Sequence, residues 1–392
     1  MSYPTEKLGK YIDILSGFAF KSKDFSNTGV PVIKIKNITP PYVSLEDVTY
    51  VPNDIATQQK KFQVRYGDIL IALTGSHINQ MDSVVGRIAK VNFFDKALLN
   101  QRVGKIYIVD DISCNLDYVY YFLSQEKVKI ELASKAGGAA NQANISPTDV
   151  KNLQIPFPSK AIQDRIADTL LAYDNLIENN QKQIKLLEEA ARRLYKEWFV
   201  DLRFPGYETT PVVDGVPEGW EVQTLSQIAD VVMGQSPKSE YYNQDGEGLP
   251  FHQGVGNYGD RFVVNGTYST SFTRIAEAGS ILFSVRAPVG RLNLTKDRIV
   301  IGRGLAAINH RQGLQSYLFY LLKNRFFKDD IIGNGSIFAS ISKDDLLNQK
   351  LLVPDNTLAV RFNSIAYVII FEKKDRKTDA SVVKWRVWNT ST

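Results

Sequence analysis

What most constrains this chain is that it repeats itself. Leu8-Gly-Lys-Tyr-Ile-Asp-Ile-Leu-Ser-Gly17, followed by Lys21-Ser22, matches Leu225-Ser-Gln-Ile-Ala-Asp-Val-Val-Met-Gly234, followed by Lys238-Ser239. Later matches keep their order. Gly67-Asp68-Ile69-Leu70 pairs with Gly279-Ser280-Ile281-Leu282, Gly86-Arg87 with Gly290-Arg291, and Arg102 with Arg303. Ile145-Ser146-Pro147-Thr148-Asp149 pairs with Ile341-Ser342-Lys343-Asp344-Asp345. The spacing between partners shrinks along the chain, so the second copy keeps the elements and trims the loops. A sequence written twice must fold as two similar units.

Each copy has a strand-like run (Pro31 to Ile35; Pro250 to His252), then another after a Gly-Asp or Gly-Ser turn (Ile69 to Leu73; Ile281 to Val285). A helix follows in each, Leu116 to Ala133 and Gln315 to Ile332, with apolar residues at three- and four-residue spacing. Each copy is therefore an α+β domain, expected over residues 1–158 and 219–354.

Between the copies the texture changes. No glycine or proline occurs from Ser159 to Phe204, which predicts one long helix. Leu170, Tyr173, Ile177, Asn180, Ile184, Leu187, Ala191, Leu194 and Trp198 alternate spacings of three and four, a heptad seam with one polar residue, Asn180. At a 1.5 Å rise about 40 residues span roughly 60 Å, too long to fold back into either domain's core. A second helix is expected from Asp355, over residues 355–375, with Ile365, Val368 and Ile369 on its apolar face. The remaining assignments are helix 159–200, linker 201–218 and a divergent tail 376–392 without heptads, so the second helix is expected to be short. The whole reads as two repeated α/β domains separated by long helices that form an antiparallel coiled coil.

Composition narrows the chemistry. One cysteine, Cys114, excludes an internal disulfide or a thiolate zinc cluster, and three histidines leave little for a metal site, so no metal is expected. A net charge of +5 with a pI near 8.9 permits nucleic-acid binding without arguing for it. Neither a signal sequence nor an apolar run of about 20 residues is present, so the chain reads as cytoplasmic, with no membrane partner.

Two short peptides look catalytic. Thr39-Pro40-Pro41-Tyr42 is close to the peptide with which amino-methyltransferases grip a flipped base, and Gly254-Val255-Gly256-Asn257-Tyr258-Gly259 has the G-x-G-x-x-G pattern of a cofactor loop. Together they motivate one reading, an autonomous DNA adenine methyltransferase. The repeat argues against it, because both peptides fall on the same loop after the same strand. A cofactor loop should also open a helix, whereas Asp260-Arg261-Phe262-Val263-Val264 favours a strand. No cofactor is expected. A coiled-coil scaffold for binding protein is a further alternative.

The leucine-glycine start, Gly67-Asp68-Ile69-Leu70, Asn100-Gln101-Arg102, Asn144-Ile145-Ser146 and the Pro156-Phe157-Pro158 lead into a long helix, found in order and twice, resemble the DNA-specificity subunits of type I restriction-modification systems. The resemblance covers residues 8 to about 371. It implies a non-catalytic subunit whose two target-recognition domains each read one half of a bipartite double-stranded DNA site, with the helices as a ruler. It also implies docking of two methyltransferase subunits and association with a restriction and translocase subunit.

DNA reading needs phosphate clamps and base-edge donors. Clamp candidates are Lys21, Lys34, Lys36, Arg87, Arg102, Lys238, Arg291 and Arg303. The loop after the second strand differs between copies, Thr74, Ser76, His77, Asn79 and Gln80 against Arg286, as expected if the half-sites differ. Asn37, Gln101, Gln142, Asn144, Gln253, Asn257 and Tyr258 are further candidates, with Ser336 and Ser340 in the second copy. Ser146 and Ser342 are read as helix caps, and Tyr118 and Tyr317 as core.

Overall fold

The computed structural model describes residues 3–75, 85–137, 143–326 and 340–370. They form two compact units that divide between Glu178 and Asn179.

In the first unit, β1 (Ile12–Ser16), β2 (Val30–Ile33), β3 (Ile69–Ala72), β4 (Ile88–Lys90), β5 (Ala97–Leu99) and β6 (Val103–Ile108) supply two sheets. One has the antiparallel order β1-β6-β3-β4, and in the other β2 runs parallel to β5. Strand β3 reads Ile-Leu-Ile-Ala and is buried throughout, because both of its faces are covered. Ile69 and Ile71 join a cluster with Ile14, Ile106, Tyr118 and Phe122, while Leu70 and Ala72 join Ile33 and Leu99 of the other sheet. The helix expected over Leu116 to Ala133 is two helices, α1 (Leu116–Leu123) and α2 (Glu126–Ser134). The break has a local cause: the Ser124 hydroxyl donates to the Tyr120 carbonyl at 2.7 Å, and Gln125 takes an extended backbone. After α3 (Pro147–Lys151), the strand Gln154–Pro156 pairs antiparallel with Thr5–Lys7 and leads into α4 (Lys160–Phe199).

The second unit repeats this plan strand for strand. Its strands are β7 (Ala229–Met233), β8 (Leu249–His252), β9 (Ile281–Ser284), β10 (Leu292–Leu294), β11 (Ile299–Ile301) and β12 (Leu305–His310). The order β7-β12-β9-β10 is antiparallel and β8 is parallel to β11. The matched glycines Gly67 and Gly279 both have φ +85°, the turn conformation that favours glycine. Helices α5 (Gln315–Phe326) and α6 (Lys343–Leu347) follow; residues 327–332 of the helix expected from Gln315 lie outside the described residues. A closing pair, Glu221–Thr224 with Lys350–Val353, again leads into a helix, α7 (Asn356–Ile370).

Helix α4 corrects one expectation. Although 40 residues long, it contributes to a core at each end. Ile166, Ala167 and Leu170 pack with Tyr118 and Ile155 of the first unit; Ala191, Tyr195 and Trp198 pack with Tyr317, Leu318 and Phe362 of the second. Long aromatic and aliphatic side chains at its termini fill each domain's sheet-and-helix layer, which the heptad reading overlooked. Between those ends Tyr173, Ile177, Asn180 and Ile184 are half-buried and Leu187 is exposed; Leu194, beyond them, is half-buried. Helix α7 meets the end of α4 through Phe362, whose ring centre lies 5.5 Å from that of Tyr195 and 6.2 Å from that of Trp198. Val368 and Ile369 lie in α7, and the tail beyond Ile370 falls outside the described residues.

Candidate nucleic-acid interface

Three chain segments meet where β3 ends. The Leu73 N–H donates to the Arg102 carbonyl at 2.9 Å, and the Ile145 N–H donates to the Leu73 carbonyl at 2.9 Å. Thr74 lies opposite Asn144 in a short antiparallel pair, and its hydroxyl donates to Asn144 Oδ1 at 2.8 Å. Arg102 Nη1 sits 3.4 Å from both Thr74 Oγ1 and Asn144 Oδ1. Arg102 is exposed and Thr74 is buried, so Thr74 holds the arginine and cannot itself reach a base. The Asn144 segment is pinned from behind: Ser146 Oγ caps α3 by accepting from the Asp149 N–H at 3.2 Å, while the Asp149 carboxylate accepts from the Ser146 N–H at 2.7 Å. Ser146 is thus a cap, as expected.

The second unit builds the same junction from different residues. The Val285 N–H donates to the Gly304 carbonyl at 3.0 Å, and the Ile341 N–H donates to the Val285 carbonyl at 2.9 Å. Arg286 bridges to Ser340, and Ser342 caps α6 by accepting from the Asp345 N–H at 3.1 Å. Arg286 therefore stands where Thr74 does, Ser340 where Asn144 does, and Gly304 where Arg102 does. Matching Arg102 to Arg303 is off by one residue, and the exposed Arg303 answers instead to the exposed Gln101. The backbone register decides this; a sequence match of isolated arginines does not. The short loop after Arg286 is tied down by the buried Ser284, whose hydroxyl donates to the Pro288 carbonyl at 2.6 Å and accepts from the Arg291 N–H at 2.8 Å.

The remaining candidates separate by exposure. Lys21 and Lys238 are both exposed and each precedes a turn of 3-10 helix, Ser22–Asp24 and Ser239–Tyr241. Lys36, Gln253, Asn257 and Arg291 are exposed, and Arg87 is half-buried. Lys34 is drawn inward: its ammonium donates to Thr49 Oγ1 at 2.9 Å and lies 4.0 Å from the Phe25 ring centre, and burial, then the charge of Lys36, lowers its pKa. Asn37 is corrected to a structural residue. It is buried, its Oδ1 accepts from the Lys34 N–H at 3.1 Å and its Nδ2 donates to the Glu46 carbonyl at 3.1 Å, leaving nothing for a base edge. The Tyr258 hydroxyl is likewise buried, and burial raises its pKa. Ser76, His77, Asn79, Gln80, Gln142 and Ser336 lie outside the described residues. Sequence reasoning missed Ser236, whose hydroxyl donates to Gln253 Oε1 at 2.8 Å and accepts from the Arg303 N–H at 3.3 Å; its only signal was its place two residues after the matched Gly234.

Neither catalytic-looking peptide forms a catalytic shape. Thr39 and Tyr42 face each other in a hairpin, and Tyr42 donates its hydroxyl to Glu178 Oε2 of α4 at 3.1 Å. In the glycine-rich stretch, Val255–Asn257 is one turn of 3-10 helix, and Tyr258 then bridges back to Val263. A phosphate cradle needs the N-terminus of an α-helix there. Tyr118 and Tyr317 are fully buried core residues, as expected. Among the described residues no group of three or more His, Cys, Asp or Glu is placed to hold a metal, and no helix is long and apolar enough to cross a membrane.

The family described as the type I restriction modification DNA specificity domain matches residues 4–189 and 217–357, most of the chain, and the chain belongs to that family. A Methanocaldococcus jannaschii protein assigned as the type I restriction enzyme MjaX specificity subunit is 29% identical over 385 residues, covering 96% of this chain and 89% of the relative. The type I restriction enzyme MjaIX specificity subunit of the same organism is 26% identical over 275 residues, 66% of this chain and 62% of the relative. Among solved structures, the type I restriction-modification S subunit from M. genitalium superposes with a TM-score of 0.61 at 17% identity, covering 100% of this chain and 96% of the other, which shows a shared fold.

Proposed function

We propose that this chain is the DNA-reading subunit of a type I restriction-modification complex, each unit recognising one half of a bipartite double-stranded site. Family membership supports the class. One observation of the chain itself carries the division into halves: the same backbone junction occurs in both units, yet it exposes Arg102, held by the buried Thr74 and by Asn144, in one and Arg286 and Ser340 in the other. A common scaffold with different polar side chains at matching places suits two different base sequences. The chain acts without catalysis of its own; the helices α4 and α7 set the spacing between half-sites and dock two methyltransferase subunits, and a restriction and translocase subunit completes the complex.

Mapping methylated adenines in cells with and without this chain tests the reading. The expected result is a two-part motif that disappears with the chain. Should the purified chain alone bind S-adenosylmethionine at micromolar concentration and methylate DNA, it is an autonomous methyltransferase. Binding to DNA with no salt dependence, or none at all, would favour a protein scaffold.

A further inference from the structure

The two units carry an arginine on alternate segments of the same junction. In the first, position 74 carries a short hydroxyl residue and Arg102, in the turn just before β6, lays its guanidinium across Thr74 and Asn144. In the second, the long side chain has moved to the other segment: Arg286 occupies the place of Thr74, and the place of Arg102 is a glycine, Gly304. The third member shrinks as well, from Asn144 to Ser340. Two arginines here would set like charges side by side where the central strand ends, which is destabilising. Each unit carries one.

We infer that Arg102 and Arg286 are the guanine-reading residues of their respective units, one shared reading position filled from alternate segments of the junction. This rests on the DNA-reading function proposed above. Three observations support base reading over phosphate binding. Both arginines are exposed where the central strand of their unit ends. The neighbours of Arg102 are neutral acceptors that orient a planar fork without neutralising it, which suits bidentate donation to guanine O6 and N7. The residues around each arginine also differ: Thr74 and Asn144 contact Arg102, whereas Arg286 bridges to Ser340 and a Cβ added at Gly304 would lie 2.5 Å from the Gln253 carbonyl oxygen, so no second long side chain fits there. A phosphate clamp would need charge and no such fitted surroundings.

The test uses the complete complex with its methyltransferase subunits and the target read from the methylation map. If that map does not depend on this chain, the DNA-reading function fails before any variant is made. Given a target, each guanine is replaced in turn by 7-deazaguanine, which lacks the N7 acceptor. One position in each half-site should weaken binding, and Arg102→Ala should make binding insensitive to it in one half while Arg286→Ala does so in the other. Each variant should lose about 5- to 150-fold in affinity for the intact target. Arg102→Lys should keep the salt dependence while losing most of the discrimination, since a point charge cannot replace the fork. The double variant Thr74→Arg/Arg102→Gly should regain a guanine preference that Arg102→Gly lacks; the single variants carry the test if the double one fails to fold. Half-sites without a sensitive guanine overturn the inference. So does an equal loss on all sequences with the salt slope reduced by about one, the mark of a phosphate contact.

Discussion

A Cβ added to Gly17 would lie 2.3 Å from the carbonyl oxygen of Leu99. That approach exists because the chain changes sheets at this residue. The Gly17 N–H still donates to Val103 of β6 at 3.0 Å, while the next N–H, from Phe18, donates to Leu99 of β5 in the other sheet at 2.8 Å. Gly234 does the same in the second unit, bonding to Leu305 of β12 at 2.9 Å before Gln235 bonds to Ile301 of β11 at 2.9 Å. A Cβ there would meet the Gly302 carbonyl oxygen at 2.1 Å. The glycine that closes the first repeated block thus joins the two sheets of each unit.

Substituting either glycine by alanine should therefore destabilise its own unit by about 3 kcal/mol, the upper end for overpacking, because backbone carbonyls cannot step aside. Gly137→Ala, where a Cβ would meet no atom of the described residues within 4 Å, serves as the control and should cost under about 1 kcal/mol. Chemical denaturation of the three variants checks this; equal midpoints for Gly17→Ala and Gly137→Ala would refute the sheet-crossing role.

Gln163 predicts a second loss. Its fully buried amide accepts from the Asn115 N–H at 3.0 Å and donates to the carbonyls of Ser113 and Pro158 at 3.0 and 2.9 Å, fastening the start of α4 to the start of α1. Gln163→Ala leaves three backbone groups without this partner, one buried and two partly buried, and should cost about 2–3 kcal/mol. The second unit makes the corresponding joint differently: Asn363 of α7 accepts from the N–H groups of Ser316 and Tyr317 at 3.0 and 3.2 Å. Asn363→Ala should behave as a lost helix cap, near 1 kcal/mol. Denaturation curves in which the two variants are equally stable would contradict this ordering.

The repeat, the α+β class and the long helix were legible because glycine turns, capping serines and alternating apolar residues are local signals. Ile145-Ser146 and Ile341-Ser342 stood out because a cap needs its serine at one place only. Gln163 left no trace, since a glutamine in a helix gives no sign of which carbonyls it will meet. The heptad reading ran through Leu170 and Trp198 into the domain cores, because a coiled-coil stripe and a core-facing stripe share one spacing. The register of Arg102 failed for a related reason: an isolated arginine can slide by one residue, and only the pairing of Leu73 and Val285 with their neighbours fixes it.

Acid should weaken the second unit through its histidines. Burial lowers the pKa of His252, partly offset by Asn265 3.0 Å from its Nε2, and burial lowers that of His310. A histidine whose folded pKa is depressed takes up its proton more readily unfolded, so its contribution is intact above the unfolded value of about 6.5 and is lost as the pH falls below it. Protonation would also remove the lone pair with which His310 Nδ1 accepts from the Gln312 N–H at 3.1 Å. Between pH 7 and pH 5 the native chain should lose more thermal stability than the variant His252→Gln/His310→Gln. Parallel melting curves for the two across that range would show that neither histidine is coupled to folding.

The spacing role of α4 can be tested at a place that the contacts themselves define. Glu178 accepts from Tyr42 in the first unit, and Glu188 pairs with Arg261 in the second, so an insertion between Gln181 and Lys182 leaves both contacts with their own units. An insertion next to Ala191 would instead abut the buried cluster of Tyr195 and Trp198. Seven added residues lengthen the helix by about 10 Å and bring its faces back to within about 20° of their phase. If the helix is the ruler, the methylation map should show both half-sites unchanged with the gap between them longer by about three base pairs, at 3.4 Å per pair. Five added residues turn everything after the insertion by roughly 140° and should abolish methylation while each unit still folds. Asn180, the polar member of the seam, lies just before the insertion, so Asn180→Leu alone should leave the gap unchanged if length rather than register sets it. A seven-residue insertion that leaves the gap as it was would remove α4 from the ruler and keep it only as a docking surface.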